Sequence, residues 1–122
     1  MKRSQSNVAS SGGPPRKYYL SWNKGVQPKC LRVELADGTS FVLPYQHLVY
    51  VRFEPGTDDT ITVAIARREV KITGKNLREL ALAFQKLSVD WVRELPARYA
   101  ASATHDSVHI ASIAVTEIRA SQ

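Results

Sequence analysis

Apolar residues alternate with polar ones in several short runs along this chain, and the runs predict strands. Tyr18, Leu20 and Trp22 alternate, as a first half-buried edge strand would. Leu31, Val33 and Leu35 follow with the same period, then Asp37-Gly38, then Phe41 and Leu43. Asp-Gly is favoured where a tight connection needs positive φ, so residues 31–43 read as a β-hairpin. Pro44 ends its second strand, and Tyr45-Gln46-His47 reads as a turn or a single helical turn. Val49, Val51 and Phe53 predict the inner face of a third strand. Pro55-Gly56 and Thr57-Asp58-Asp59 mark a turn. Ile61, Val63 and Ile65 form a fourth run, with Thr60, Thr62 and Ala64 opposite. Arg67-Arg68-Glu69 is either a tight turn or a bend, and no Gly or Pro settles which. Val70 and Ile72 give a fifth strand that stops at Gly74.

The period then changes from two to that of a helix. Leu77, Leu80, Phe84 and Leu87 recur at spacings of three, four and three, which places them on one helix face. Asn76 is a suitable N-cap, and Glu79 could close a capping box three residues later. Gly74 allows a sharp change of direction into that helix. Trp91 and Leu95 continue the helical stripe, whereas Val89 and Trp91 alternate as on a strand, so residues 88–96 remain open. Pro96 ends either one. Residues 97–107 read as a loop. Residues 109–118 favour a last strand, but Ile110 is out of phase with Ile113 and Val115, as a bulge or a slipped register would leave it, and Ile110, Ile113 and Ala114 would also suit a helix.

The expected fold class is therefore α+β. A small, mostly antiparallel sheet of five or six strands, flat or curled into a roll or partial barrel, packs on one main α-helix. The strand at 70–73, the helix and the strand at 109–118 could form a right-handed crossover.

Composition changes this picture at one end only. A chain of 122 residues with 43% hydrophobic content holds one domain plus a tail. Residues 1–16, rich in Ser, Gly and Pro, read as a disordered basic arm, and residues 17–122 as a single α+β domain. The formal charge is +6, and residues 1–29 carry Lys2, Arg3, Arg16, Lys17, Lys24 and Lys29 with no acid. The remaining 11 basic groups balance 11 acids. The high pI thus belongs to the arm, which weakens the usual inference from pI to a nucleic-acid-binding face.

Candidate chemistry is sparse. A phosphate-cradling P-loop needs glycine at the position of Glu69, so Gly74-Lys75 does not complete one. No Gly-x-Ser-x-Gly is present. Cys30 is the only cysteine, which excludes an intrachain disulfide and fits a reducing compartment. His105, Asp106 and His109 resemble ligands, but a polar loop entering a strand accounts for them. Asp58 and Asp59 read as solvated turn carboxylates. No catalytic residue, metal or cofactor is expected.

Two groups of binding residues remain. Arg67, Arg68, Lys71 and Lys75, with Gly74, form a basic cluster that could hold phosphate or guard a strand edge. Arg16, Lys17, Tyr18 and Trp22 interleave cations with aromatics, as a single-stranded nucleic-acid contact would. The expected function is a small non-enzymatic binding or regulatory module in the cytoplasm. It would act on a protein partner or as a homo-oligomer, with no membrane contact. The alternative is a nucleic-acid-binding accessory protein that uses its basic arm.

Overall fold

A computed structural model of the chain describes residues 20–95 and 108–118. The disordered-arm expectation, Arg16, Lys17, Tyr18, His105 and Asp106 lie outside the described residues. Among the described residues eight strands occur in chain order: β1 Trp22–Lys24, β2 Cys30–Glu34, β3 Ser40–Pro44, β4 Leu48–Glu54, β5 Asp59–Ile65, β6 Arg68–Lys75, β7 Val89–Arg93 and β8 His109–Glu117. One helix, α1 (Arg78–Gln85), stands between β6 and β7, and a 3-10 turn at Tyr45–His47 joins β3 to β4.

The strands divide into two four-stranded sheets, ordered β1-β7-β2-β3 and β4-β5-β6-β8. This overturns the expected α+β arrangement of one sheet on a main helix. The fold is mostly β, with strands covering 56% of the described residues and a single helix of eight. The physical reason lies in β7. It runs parallel to β2 and antiparallel to β1, so it enters the first sheet between two strands that precede it by more than fifty residues. Such non-local pairing leaves no mark on local periodicity. The anticipated crossover is also absent, because β6 and β8 are antiparallel neighbours and α1 leads instead to the other sheet.

One apolar cluster joins both sheets and the helix. Leu31 and Val33 from the first sheet, Ile61, Val63, Ile65, Val70 and Ile72 from the second, and Leu77 and Leu80 beside α1 are fully buried in it. Burying side chains of this size stabilises the fold by about 1.5–3 kcal/mol each. The expected inward phase of β2, β5 and β6 thus holds. In β4 it shifts: a bulge between Leu48 and Tyr50 leaves Val49 75% exposed and turns Leu48, Val51 and Phe53 toward the core. In β8 the register slips opposite Thr73 and Gly74, which explains why Ile110 and Ile113 are both buried although three residues apart.

The connections also differ in detail from the motifs. Gly38 has φ +95°, while neither Ala36 nor Asp37 has positive φ. The Gly38 N–H donates to the Leu35 carbonyl at 3.0 Å, and Leu35 N–H to the Thr39 carbonyl at 2.8 Å. The hairpin loop is therefore longer than two residues, with the glycine supplying the left-handed step. The two-residue turn lies elsewhere, at Ala66-Arg67 between paired Ile65 and Arg68, with φ values of 52° and 62°. Gly74 does not end β6. It lies within the strand, where an added Cβ would run into the His109 carbonyl of β8, so the residue permits close approach rather than a turn.

Candidate protein-binding groove between β4 and α1

The start of α1 fixes the site. Asn76 is not its N-cap: it has φ +59°, and Leu77 holds the cap position without a side-chain bond of its own. The cap comes from a distant residue, because the Asp59 carboxylate accepts the Leu77 N–H at 3.0 Å. Its neighbour Asp58 pairs with Lys75 at 2.5 Å, and Lys75 also donates to the Thr57 carbonyl at 3.0 Å. The two turn carboxylates therefore tie the β4–β5 turn to the β6–α1 junction rather than merely facing solvent.

The far end of α1 is equally defined. Ser88 N–H donates to the Ala83 carbonyl at 3.0 Å and Leu87 N–H to the Phe84 carbonyl at 2.9 Å, the paired bonds of a Schellman motif. Leu87 occupies the left-handed position of that motif, at φ +53°. These two ends limit the helix to about two turns. It lies beside β4 but leaves the inward side chains of that strand, Leu48, Val51 and Phe53, only half-buried.

The result is an apolar groove of about 450 Å3 between β4 and α1. Leu48, Val51 and Phe53 form one wall, and Ala81, Leu82 and Phe84 the other. Leu82 is 53% exposed and Leu87 42%. The Arg78 guanidinium lies 5.2 Å from the centre of the Phe53 ring and, among the described residues, is the single charge lining the groove. Beside it, β4 is an edge strand of its sheet. Among the described residues no backbone hydrogen bond joins Val49–Glu54 to anything but β5. A strand in this position turns half of its N–H and C=O groups away from its only neighbour.

The basic cluster does not assemble. Arg68 shares a strand face with Val70 and stacks over the Phe41 ring at 5.3 Å. Lys71 stands on the opposite face, exposed, between Thr62 and Ala114 in the register. Arg67 is in the turn, Gly74 is buried against β8, and Lys75 is paired with Asp58. Period-two geometry alone separates Arg68 from Lys71. Trp22 turns inward and packs against the core, which removes its ring from the outer surface. The groove itself went unseen in the sequence, since Leu87 looked like an ordinary member of the helical stripe. The one available signal was Leu82, which falls off that stripe.

Other titratable groups serve the scaffold. The Tyr45 hydroxyl donates to the Val89 carbonyl at 2.5 Å. Burial first, and the negative charge of Asp90 second, push its pKa up, so it stays a neutral donor. His109 is buried, and among the described residues its Nδ1 has no hydrogen-bond partner. Among the described residues no three His, Cys, Asp or Glu side chains converge as metal ligands. No described helix is long and apolar enough to cross a membrane. The chain matches no family model, no curated protein and no solved structure.

Proposed function

We propose that this chain is a non-enzymatic binding module that takes an extended segment of a protein partner along β4. The segment would pair with the free edge of the strand and place alternate apolar side chains in the groove against α1. The observation that carries this reading is the conjunction of an unpaired edge with an apolar groove whose Leu82 and Leu87 are left open to water. In strand addition, main-chain hydrogen bonds supply affinity, and pockets for every second side chain supply selectivity. The groove is mostly apolar with one guanidinium at its edge, a composition suited to recognition rather than to a reaction. A cytoplasmic setting goes with this reading, since the free thiol of Cys30 needs no oxidising compartment.

The test is selection of extended peptides from a random display library with the full chain, followed by counter-selection on Leu82→Glu. Selected peptides should be apolar at alternating positions, lose binding to the variant, and shift the methyl resonances of Leu48, Val51 and Leu82. Peptides that bind wild type and Leu82→Glu equally would sink the proposal. Sedimentation of the full chain over a range of concentrations separates the remaining case. A dimer abolished by Leu82→Glu would give the groove to a second copy instead of a partner.

A further inference from the structure

We infer that the outer face of the β1-β7-β2-β3 sheet is a platform for single-stranded nucleic acid, with Trp91 as its stacking ring. The register places Asn23, Trp91, Arg32 and Val42 in one row across the four strands. Side chains in one row on one face stand side by side. Asn23, Arg32 and Val42 are exposed and Trp91 is half-buried. The Arg93 guanidinium lies 4.5 Å from the centre of the Trp91 ring. Glu34 accepts from Arg93 at 3.0 Å and from Arg32 at 2.7 Å, which holds both guanidinium groups next to the indole. An aromatic ring and planar guanidinium groups on an open sheet are the surfaces on which unpaired bases stack.

Charge selects the occupant. Residues 1–29 carry six basic groups and no acid, while the rest of the chain is formally neutral. Within that stretch Trp22–Lys24 forms β1, the edge strand that pairs with β7 directly beside Trp91. Exposed Lys24 and Lys29 flank the loop that carries Val26, which is 97% exposed. Of those six groups Lys24 and Lys29 stand among the described residues, at the edge of the sheet whose outer face presents Trp91. A polyanion is drawn to this edge. A single strand can lay its bases on the ring while its phosphates meet the lysines, whereas a duplex keeps its base faces stacked inside. Trp22, the ring suggested by the sequence, plays no part, because it faces the core.

The test is fluorescence anisotropy of labelled oligo-dT and oligo-U with the full chain, at about 50 mM and about 200 mM salt. Binding should weaken with salt and favour the single strands over a duplex of the same length. Trp91→Ala should weaken it roughly 5- to 100-fold, and Trp91→Phe, which keeps a ring, should restore most of that loss. Arg32→Gln, at an exposed position that threatens no core contact, should reduce the salt slope by about one. The inference is overturned if the full chain does not bind at low salt, or if duplex or poly-glutamate competes as well as oligo-dT. It is equally overturned if Trp91→Ala and Arg32→Gln bind like wild type while removal of residues 1–16 abolishes binding.

Discussion

The carboxylate of Asp59, at the start of β5, caps the helix that begins beside Leu77, 3.0 Å from its N–H and eighteen residues further along the chain. The bond closes the β5–β6 hairpin onto α1 and so sets the helix beside β4. Asp59→Ala should cost about 1 kcal/mol, in the range of lost helix caps, while Asp59→Asn retains an acceptor oxygen and should cost less. Asn76→Gly keeps the positive φ without strain, which offsets part of the interaction lost with the asparagine, and should cost less than Asp59→Ala. Urea unfolding of the three variants checks the order. A loss at Asn76 as large as that at Asp59 would return the cap to Asn76.

Leu87 is held at φ +53° at the end of α1 and also lines the groove. A left-handed residue with a side chain carries a penalty of about 1–2 kcal/mol that glycine avoids. Leu87→Gly should therefore stabilise the fold by about 1 kcal/mol while weakening the peptides selected on the groove. Opposite signs for stability and binding, measured by thermal unfolding and peptide titration, distinguish a binding residue from a merely structural one.

The Ala66-Arg67 turn carries the same kind of strain twice. Both residues have positive φ in a two-residue hairpin loop, where Asn-Gly is the preferred pair. Replacing them together by Asn-Gly should raise stability by about 1–2 kcal/mol in a urea titration. Oligonucleotide affinity should not change, since Arg67 stands on the other sheet from Trp91 and the structure gathers no basic site around it.

Glu94 fastens the two sheets to each other. One carboxylate oxygen accepts the Ala36 N–H at 2.8 Å from the β2–β3 loop, and the other accepts the Ile113 N–H at 3.1 Å from β8. Glu94→Ala hands the exposed Ala36 N–H to water but removes the acceptor of the buried Ile113, and should cost about 1 kcal/mol, with Glu94→Gln intermediate because its amide offers one acceptor oxygen. Hydrogen exchange at Ala36 and Ile113 should quicken in the alanine variant before the rest of the chain does.

Acid should loosen the first sheet. Burial pushes the Glu34 carboxyl up, but the hydrogen bonds and charges of Arg93 and Arg32 outweigh it and hold its pKa below the ordinary carboxylate value. The exposed Asp37 carboxyl is also lowered, chiefly by the Thr39 N–H. In both cases the folded pKa lies below the unfolded one, so the unfolded chain binds more protons in that interval. The stability they contribute is fully present above the unfolded pKa and is lost as pH falls through the folded value. Melting temperature measured from neutral pH down into acid should decline more gently in Glu34→Gln than in wild type.

Local pattern determined a good part of this molecule. Alternation placed Leu31, Val33, Ile61, Val63, Val70 and Ile72 in the core, and the out-of-phase Ile110 marked an irregularity in β8 without choosing between a bulge, a slipped register and a helix, because inside and outside are decided residue by residue in a strand. Where the strands went was decided elsewhere. No property of Val89–Arg93 announces that it will enter between β1 and β2, and no property of Asp59 announces that it will cap a helix. Those outcomes depend on which distant edges and donors come within reach once the core closes. The same holds for both candidate surfaces. The groove exists because α1 stops too soon to cover β4, and the outer row exists because folding turned Trp22 inward and Trp91 outward. The sequence by itself established which residues are apolar, charged or aromatic; only tertiary packing chose which of them still meet solvent.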